Sequence, residues 1–314
     1  MPALITHHLF GEESIARLPE GVITSDEERL AFILGNQGPD PFFFRVRTPR
    51  IKDCMHLAQV MHRSRMSRQF AVLRDGVAHL QPREAELGRA FVLGLLSHYV
   101  LDRNAHPFVY GQQFGIIDAD PSLEDAASGV HAILESDLDV AMLQLKRDGA
   151  TCADFPPAGE IVTTDRIDRV AGVLMSYAAG TVYDLDVPAG EYGGAVADMQ
   201  LVYRLIEPAG SPKTAAIAAI EDALHSYSLL GSLAHRVTDE MPARTANLGH
   251  LTWKNPFTDE ESNESFPEVF DRALGDYART AARFVETGDM GAVTGHVNYS
   301  GRPLEADEEW DTEE

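Results

Sequence analysis

The chain has little cysteine and little positive charge, and it lacks any long apolar run. Each shortage excludes something. Two cysteines, Cys54 and Cys152, in 314 residues cannot make a disulfide framework; buried thiols in a reducing compartment fit them. Lys and Arg number 26 against 49 Asp and Glu, a formal charge of −23. Non-specific binding to nucleic acid or to an anionic membrane rests on cations neutralising phosphates, so a nucleic-acid partner is disfavoured. No stretch is long and apolar enough to make a transmembrane segment. The opening, MPALITHHLFGEESIARLPE, has no basic region followed by a continuous apolar one, so no secretory leader is expected and a cytoplasmic location is. Nor does any period-two alternation run far enough for a sheet. The chain should be all-α, with residues 1–302 as one multi-helix domain. Residues 303–314, PLEADEEWDTEE, are acidic without one basic residue and read as a disordered tail.

What the chain does have is histidine in a particular pattern. FVLGLLSHYVLDRNAHP, residues 91–107, is apolar on nearly every side in its first half, as a buried helix is. Into it the sequence sets His98, Asp102 and His106. Residues four apart lie on one helix face about a turn apart, so the three form a row. A carboxylate between two imidazoles in a core is costly unless paired or bound to metal, and metal is the simplest answer. GVHAILESDLD repeats the device with His131 and Glu135 at the same spacing, after Ser122-x-x-Asp125, which reads as a capping box.

The remaining histidines are weighed by context. His7 and His8 sit at or before the start of an amphipathic helix in THHLFGEESIARLP. Ser25 and Glu28 signal the N-terminus of a second helix, which ends in the turn GNQGPDPFFF. Asp40 lies there between two prolines that hold its direction, and Phe42, Phe43 and Phe44 are core anchors or a pocket wall. Residues 51–73 read as one helix carrying His56 and His62. Six steps of about 100° separate these two by roughly 240°, so at most one joins the central row. The central helix should start near Pro82, with His79 in a loop before it. Further helices are expected over 164–183, 211–241 and 265–287, with VPAGEYGG and WKNPFTDEESNESF as loops. His225 and His235 have no carboxylate at ligand spacing and read as structural.

Taken together, THHLFGEE, GNQGPDPFFF, MHRSRM, SHYVLDRNAHP and GVHAILES resemble the zinc-dependent phospholipase C family, and more distantly the S1/P1 nucleases, over roughly residues 6–140. The resemblance implies an all-helical fold and two or three zinc ions in one cleft. His62 and His98 would hold one zinc, and Asp102 would bridge to a second that His7 helps bind. His106, His131 and Glu135 would hold the third, and Asp40 matches an acidic residue proposed as general base. It further implies a phosphodiesterase in which metal-activated water attacks a phosphodiester or phospholipid. Family enzymes carry an N-terminal Trp as a ligand where this chain has Met1-Pro2; His8 is an alternative there. A nuclease of the S1/P1 kind and a metal-stabilised helical protein without activity are the competing readings.

Overall fold

A computed structural model describes residues 4–214 and 229–309. The apolar stretch around His98 forms the middle of the longest helix, and the other elements pack around it. In chain order the helices are α1 (Leu4–Ile15), α2 (Asp26–Gly35), α3 (Ile51–Arg63), α4 (Met66–His79), α5 (Pro82–Ala119), α6 (Ala127–Lys146), α7 (Pro157–Glu160), α8 (Asp165–Tyr183), α9 (Gly190–Ile206), α10 (Phe266–Glu286), α11 (Met290–Thr294) and α12 (Ala306–Glu309), with a further turn of helix at Leu229–Ser232. Among the described residues the only sheet is a two-residue antiparallel pair, Trp253–Lys254 with Glu261–Ser262. The fold is all-α. No described helix is long and apolar enough to cross a membrane.

Local signals start several elements where expected. Ser25 accepts from the Glu28 N–H and so caps α2, Pro82 opens α5, and Ser265 with Glu268 forms a capping box on α10. Two glycines then set the central packing. A Cβ on Gly94 would lie 2.0 Å from the Phe32 carbonyl oxygen, and one on Gly35 2.1 Å from that of Phe91. Only glycine lets the backbones of α2 and α5 touch there. That contact carries the chain after α2 onto His98. At Gly38 (φ +58°) a Cβ would fall 2.4 Å from the His98 ring, and the next residues make the 3₁₀ turn Asp40–Phe44.

Pro107 sits inside α5 and removes the N–H that would reach the Arg103 carbonyl. Gly301, at φ +77°, presses on this spot: a Cβ there would lie 2.6 Å from Pro107 Cγ and 2.7 Å from the Arg103 oxygen. The loop carrying Tyr299 is thereby seated beside His106.

Several expectations need correction. His79 closes α4 and does not lie in a loop, and of the helix expected over 211–241 the described residues 233–241 are not helical. The stretch 51–73 is two helices, α3 and α4, broken at Arg65 (φ +62°). The Arg65 N–H donates to the Glu308 carbonyl at 2.8 Å, a contact from the far end of the chain. VPAGEYGG is not all loop, because α9 starts at Gly190; Arg45 spans Glu191 and Asp198 at 2.8 Å each and packs on Gly194. Asp120, rather than Ser122 and Asp125, caps the 3₁₀ turn Pro121–Ala126 that precedes α6. Finally, residues 303–309 are not a solvated tail. Glu309 is 1% exposed and accepts from Ser67 N–H at 3.1 Å and from the Ser67 hydroxyl. It serves the free N–H groups at the start of α4, where a carboxylate is favoured.

Candidate metal centre

The row on α5 is buried, and α1, α3, α6 and the Asp40 turn converge on it. Asp102 faces two ways: Oδ1 is 3.1 Å from His7 Nε2, and Oδ2 is 3.3 Å from His98 Nε2. Asp40 Oδ1 lies 3.1 Å from His62 Nε2, and its Oδ2 is 3.9 Å from His98 Nε2. One turn further along α5, His106 Nε2 is 3.4 Å from Glu135 Oε1, which is 3.2 Å from His131 Nε2. Three groups result: His62, His98 and Asp102; His7, Asp40 and His98; His106, His131 and Glu135. Within each, the candidate donor atoms lie within 4.8 Å of one another. Between them is a void of about 20 Å³ lined in part by His7, Asp102, His106 and Glu135, roughly the room one small ion or water needs.

The hydrogen bonds on the outer side of the rings decide what this arrangement suits. His62 Nδ1 donates to Ala58 O (2.6 Å), His98 Nδ1 to Asn36 O (3.1 Å), His106 Nδ1 to Tyr299 O (2.8 Å) and His131 Nδ1 to Gln113 Oε1 (2.8 Å). Each acceptor fixes the proton on Nδ1, so in the neutral ring Nε2 carries a lone pair. Four such nitrogens are aimed at carboxylate oxygens, which repel their lone pairs unless a proton or a metal cation stands between. His98 Nε2 and Asp40 Oδ1 are buried and have no hydrogen bond. Ligating histidines held from behind by a carbonyl or amide oxygen have this geometry.

The field in the site points the same way. Burial would raise the Asp102 carboxyl, yet His106 and His98 hold it well below the ordinary range. Against the same burial, His98 and His62 keep Asp40 low, while His131 and His106 keep Glu135 far below. Burial pushes His106 down, but Asp102 and Glu135 outweigh it and hold the ring at about 9. At His131 burial prevails and the ring is lowered. Three ionised carboxylates among imidazoles make a cation-seeking pocket, and mixed imidazole and carboxylate donors suit zinc.

The model of the zinc-dependent phospholipase C family matches residues 6–178, more than half of the chain. The chain belongs to that family. It is thereby a phospholipase-type hydrolase that depends on zinc. No curated protein and no solved structure matches it.

For this phospholipase-type chain, the positions of the side chains bear on the two open choices. His7 enters the groups, whereas His8 turns to Glu160 (3.3 Å). His62 enters, whereas His56 is exposed on the opposite side of α3. His225 lies outside the described residues. His235 stays out of the centre but does have carboxylate partners, Asp139 and Glu207, from segments remote in sequence. Both cysteines are free and buried, and burial pushes the Cys54 thiol up to about 11. Missing from the sequence reading are the outer partners Asn36, Gln113 and Tyr299. Their distances in sequence from the histidines that they face, 62, 18 and 193 residues, leave no periodic signal.

Beside the centre lies a cleft of about 320 Å³. His62, His106 and His131 form its floor, Phe43, Tyr110 and Tyr299 are walls, and Gln59, Arg63, Ser128 and Ser300 add polar groups. Arg63 is the only Lys or Arg among the lining residues, and none is Asp or Glu.

Proposed function

We propose that the chain is a zinc-dependent phosphodiesterase, phospholipase C-like, acting on a small phosphodiester or a single phospholipid molecule. The observation that carries this reading is the sharing of ligands. Asp102 turns one oxygen to His7 and the other to His98, so adjacent cations would stand on either side of one carboxylate. Two or three zinc ions held in this way supply a Lewis acid and an activated water for in-line displacement.

The chain's own residues would do the rest. His98, Asp102 and His62 hold one ion, His7 with Asp102 a second, and His106, His131 and Glu135 the third. Asp40, with Oδ1 unbonded and facing His62, is placed to accept the proton of the attacking water. Arg63 puts a guanidinium at the cleft to meet a non-bridging phosphate oxygen, and the aromatic walls exclude water and cover an apolar or ring-bearing leaving group. A lining free of Asp and Glu, in a chain of charge −23, relieves repulsion where an anionic diester must sit. That relief is local: the charge of the whole molecule would still slow encounter with a polyanion more than with a zwitterionic or singly charged diester.

The test is hydrolysis of p-nitrophenyl phosphocholine and of single-stranded nucleic acid by zinc-loaded protein, beside an Asp102→Asn variant. The expected result is cleavage of the small diester, weaker cutting of nucleic acid, and neither with the variant. Faster cutting of nucleic acid would put the nuclease reading first. No cleavage of either at any pH would leave a metal-stabilised helical protein.

A further inference from the structure

The row on α6 does not end at Glu135. Four residues on, Asp139 is fully buried, yet it is not in the metal groups. Its Oδ2 accepts the Ile5 N–H at 2.9 Å and its Oδ1 the Thr6 N–H at 2.7 Å. These are free N–H groups of the first turn of α1, which must find acceptors because Leu4, Ile5 and Thr6 have at most 1% exposure. Asp139 Oδ2 also accepts from His235 Nε2 at 2.9 Å. The other ring nitrogen of His235 donates to Glu207 Oε1, which takes the His235 backbone N–H as well, at 3.0 Å. With carboxylates on both nitrogens the ring is an imidazolium; burial pushes it down, but Asp139 and Glu207 hold it up at about 9.

We infer that Asp139, backed by His235 and Glu207, is a positioning residue that fixes α1 so that His7 reaches its zinc. His7 lies next to Thr6 in the turn that Asp139 grips, and its Nε2 stands 3.1 Å from Asp102. Its outer nitrogen, Nδ1, is buried and has no hydrogen bond. The four other histidines of the groups are each aimed by an acceptor behind the ring; His7 has none, and besides its stacking on the His98 ring (centroids 4.1 Å) it depends on the helix that carries it. Because Asp139 and Glu135 share α6, one helix both supplies a ligand to one ion and sets the helix that supplies a ligand to another. This inference rests on the reading of His7 as a ligand.

The experiment compares bound zinc per chain and zinc affinity, by metal analysis and by competition with a chelator, for wild type, His7→Ala, Asp139→Asn, Glu207→Gln and the double variant Asp139→Asn/His7→Ala. Partners that orient a ligand typically change metal affinity by about 10- to 100-fold. Asp139→Asn should weaken one zinc by that factor and leave the others, the double variant should lose no more zinc than His7→Ala, and Glu207→Gln should weaken the same zinc more mildly. A purely structural role would lower Tm without selecting one ion, or would make the losses add. Unchanged zinc in both Asp139→Asn and Glu207→Gln, with one ion lost in His7→Ala, would overturn the inference alone. If Asp139→Asn does not fold, Glu207→Gln decides. Equal zinc in His7→Ala and wild type would instead remove the reading of His7 as a ligand.

Discussion

At the scale of the residue, the two aspartates of the centre differ in what they face, and that difference is testable. Asp102 holds its two oxygens 3.1 and 3.3 Å from ring nitrogens of two histidines, whereas Asp40 Oδ2 is 3.9 Å from the His98 nitrogen and Oδ1, though beside His62, accepts no hydrogen bond. Asp102→Asn should lose zinc and activity together. Asp40→Asn should keep zinc and lose rate by about 10²- to 10⁴-fold, the usual contribution of a general base; metal analysis with rate measurement checks both. Equal zinc loss in the two would make Asp40 a ligand. A second prediction concerns His235. Its pKa in the folded chain, about 9, lies above the ordinary value near 6.5. Its contribution is therefore fully present below about pH 6.5 and is lost as pH rises through about 9. In metal-free protein the Tm gap between wild type and His235→Gln should be widest at pH 6 and shrink towards pH 9. A gap independent of pH would show that the ring contributes by packing and not by charge.

At the scale of the element, what matters is how closely α2 approaches α5, since the backbone carbonyl of Asn36, just past α2, accepts the hydrogen bond from His98 Nδ1. Gly94→Ala would push a methyl into the Phe32 carbonyl, 2.0 Å away. Separating the backbones should cost about 1–3 kcal/mol and displace His98 along with its acceptor. Gly115, exposed on the same helix, has nothing within 4 Å of a Cβ, and its change to Ala should be neutral or stabilising by up to about 1 kcal/mol. Thermal unfolding and zinc content of the two variants check this. A Gly94→Ala protein as stable and as well loaded as wild type would mean that the helices can slide apart without moving the site. The motif SHYVLDRNAHP was legible because spacing by four is a property of the helix itself. The break at Arg65 was not, because it is imposed by Glu308, over two hundred residues away.

At the scale of the whole molecule, the candidate centre gathers side chains from α1, α3, α5 and α6 in one core. A cation bound there stabilises the folded chain by RT ln(1 + [L]/Kd), about 2.7 kcal/mol when free metal is 100 times Kd. Chelation should therefore lower Tm, zinc added back should raise it, and the shift should grow with the logarithm of free zinc. A Tm indifferent to chelator would mean that the groups hold no ion that the fold depends on. The charge of −23 acts at this scale too, and the acidic end illustrates its limits. A run of Asp and Glu reads as solvated, yet Glu309 is buried because the start of α4 offers it Ser67.

The sequence by itself determined the helical class and two rows of candidate ligands, His98-Asp102-His106 and His131-Glu135, since helix period and apolar context are local and can be counted. It also narrowed the other candidates to pairs, His7 or His8 and His56 or His62. The tertiary structure brings His7 and His62 into the candidate groups, because which neighbour turns inward depends on the path of the chain around α5. It alone supplied the acceptors behind the rings and the bridge from α1 through Asp139 to His235, 96 residues further on. Such contacts are set by folded distance, and distance in the fold has no period along the chain.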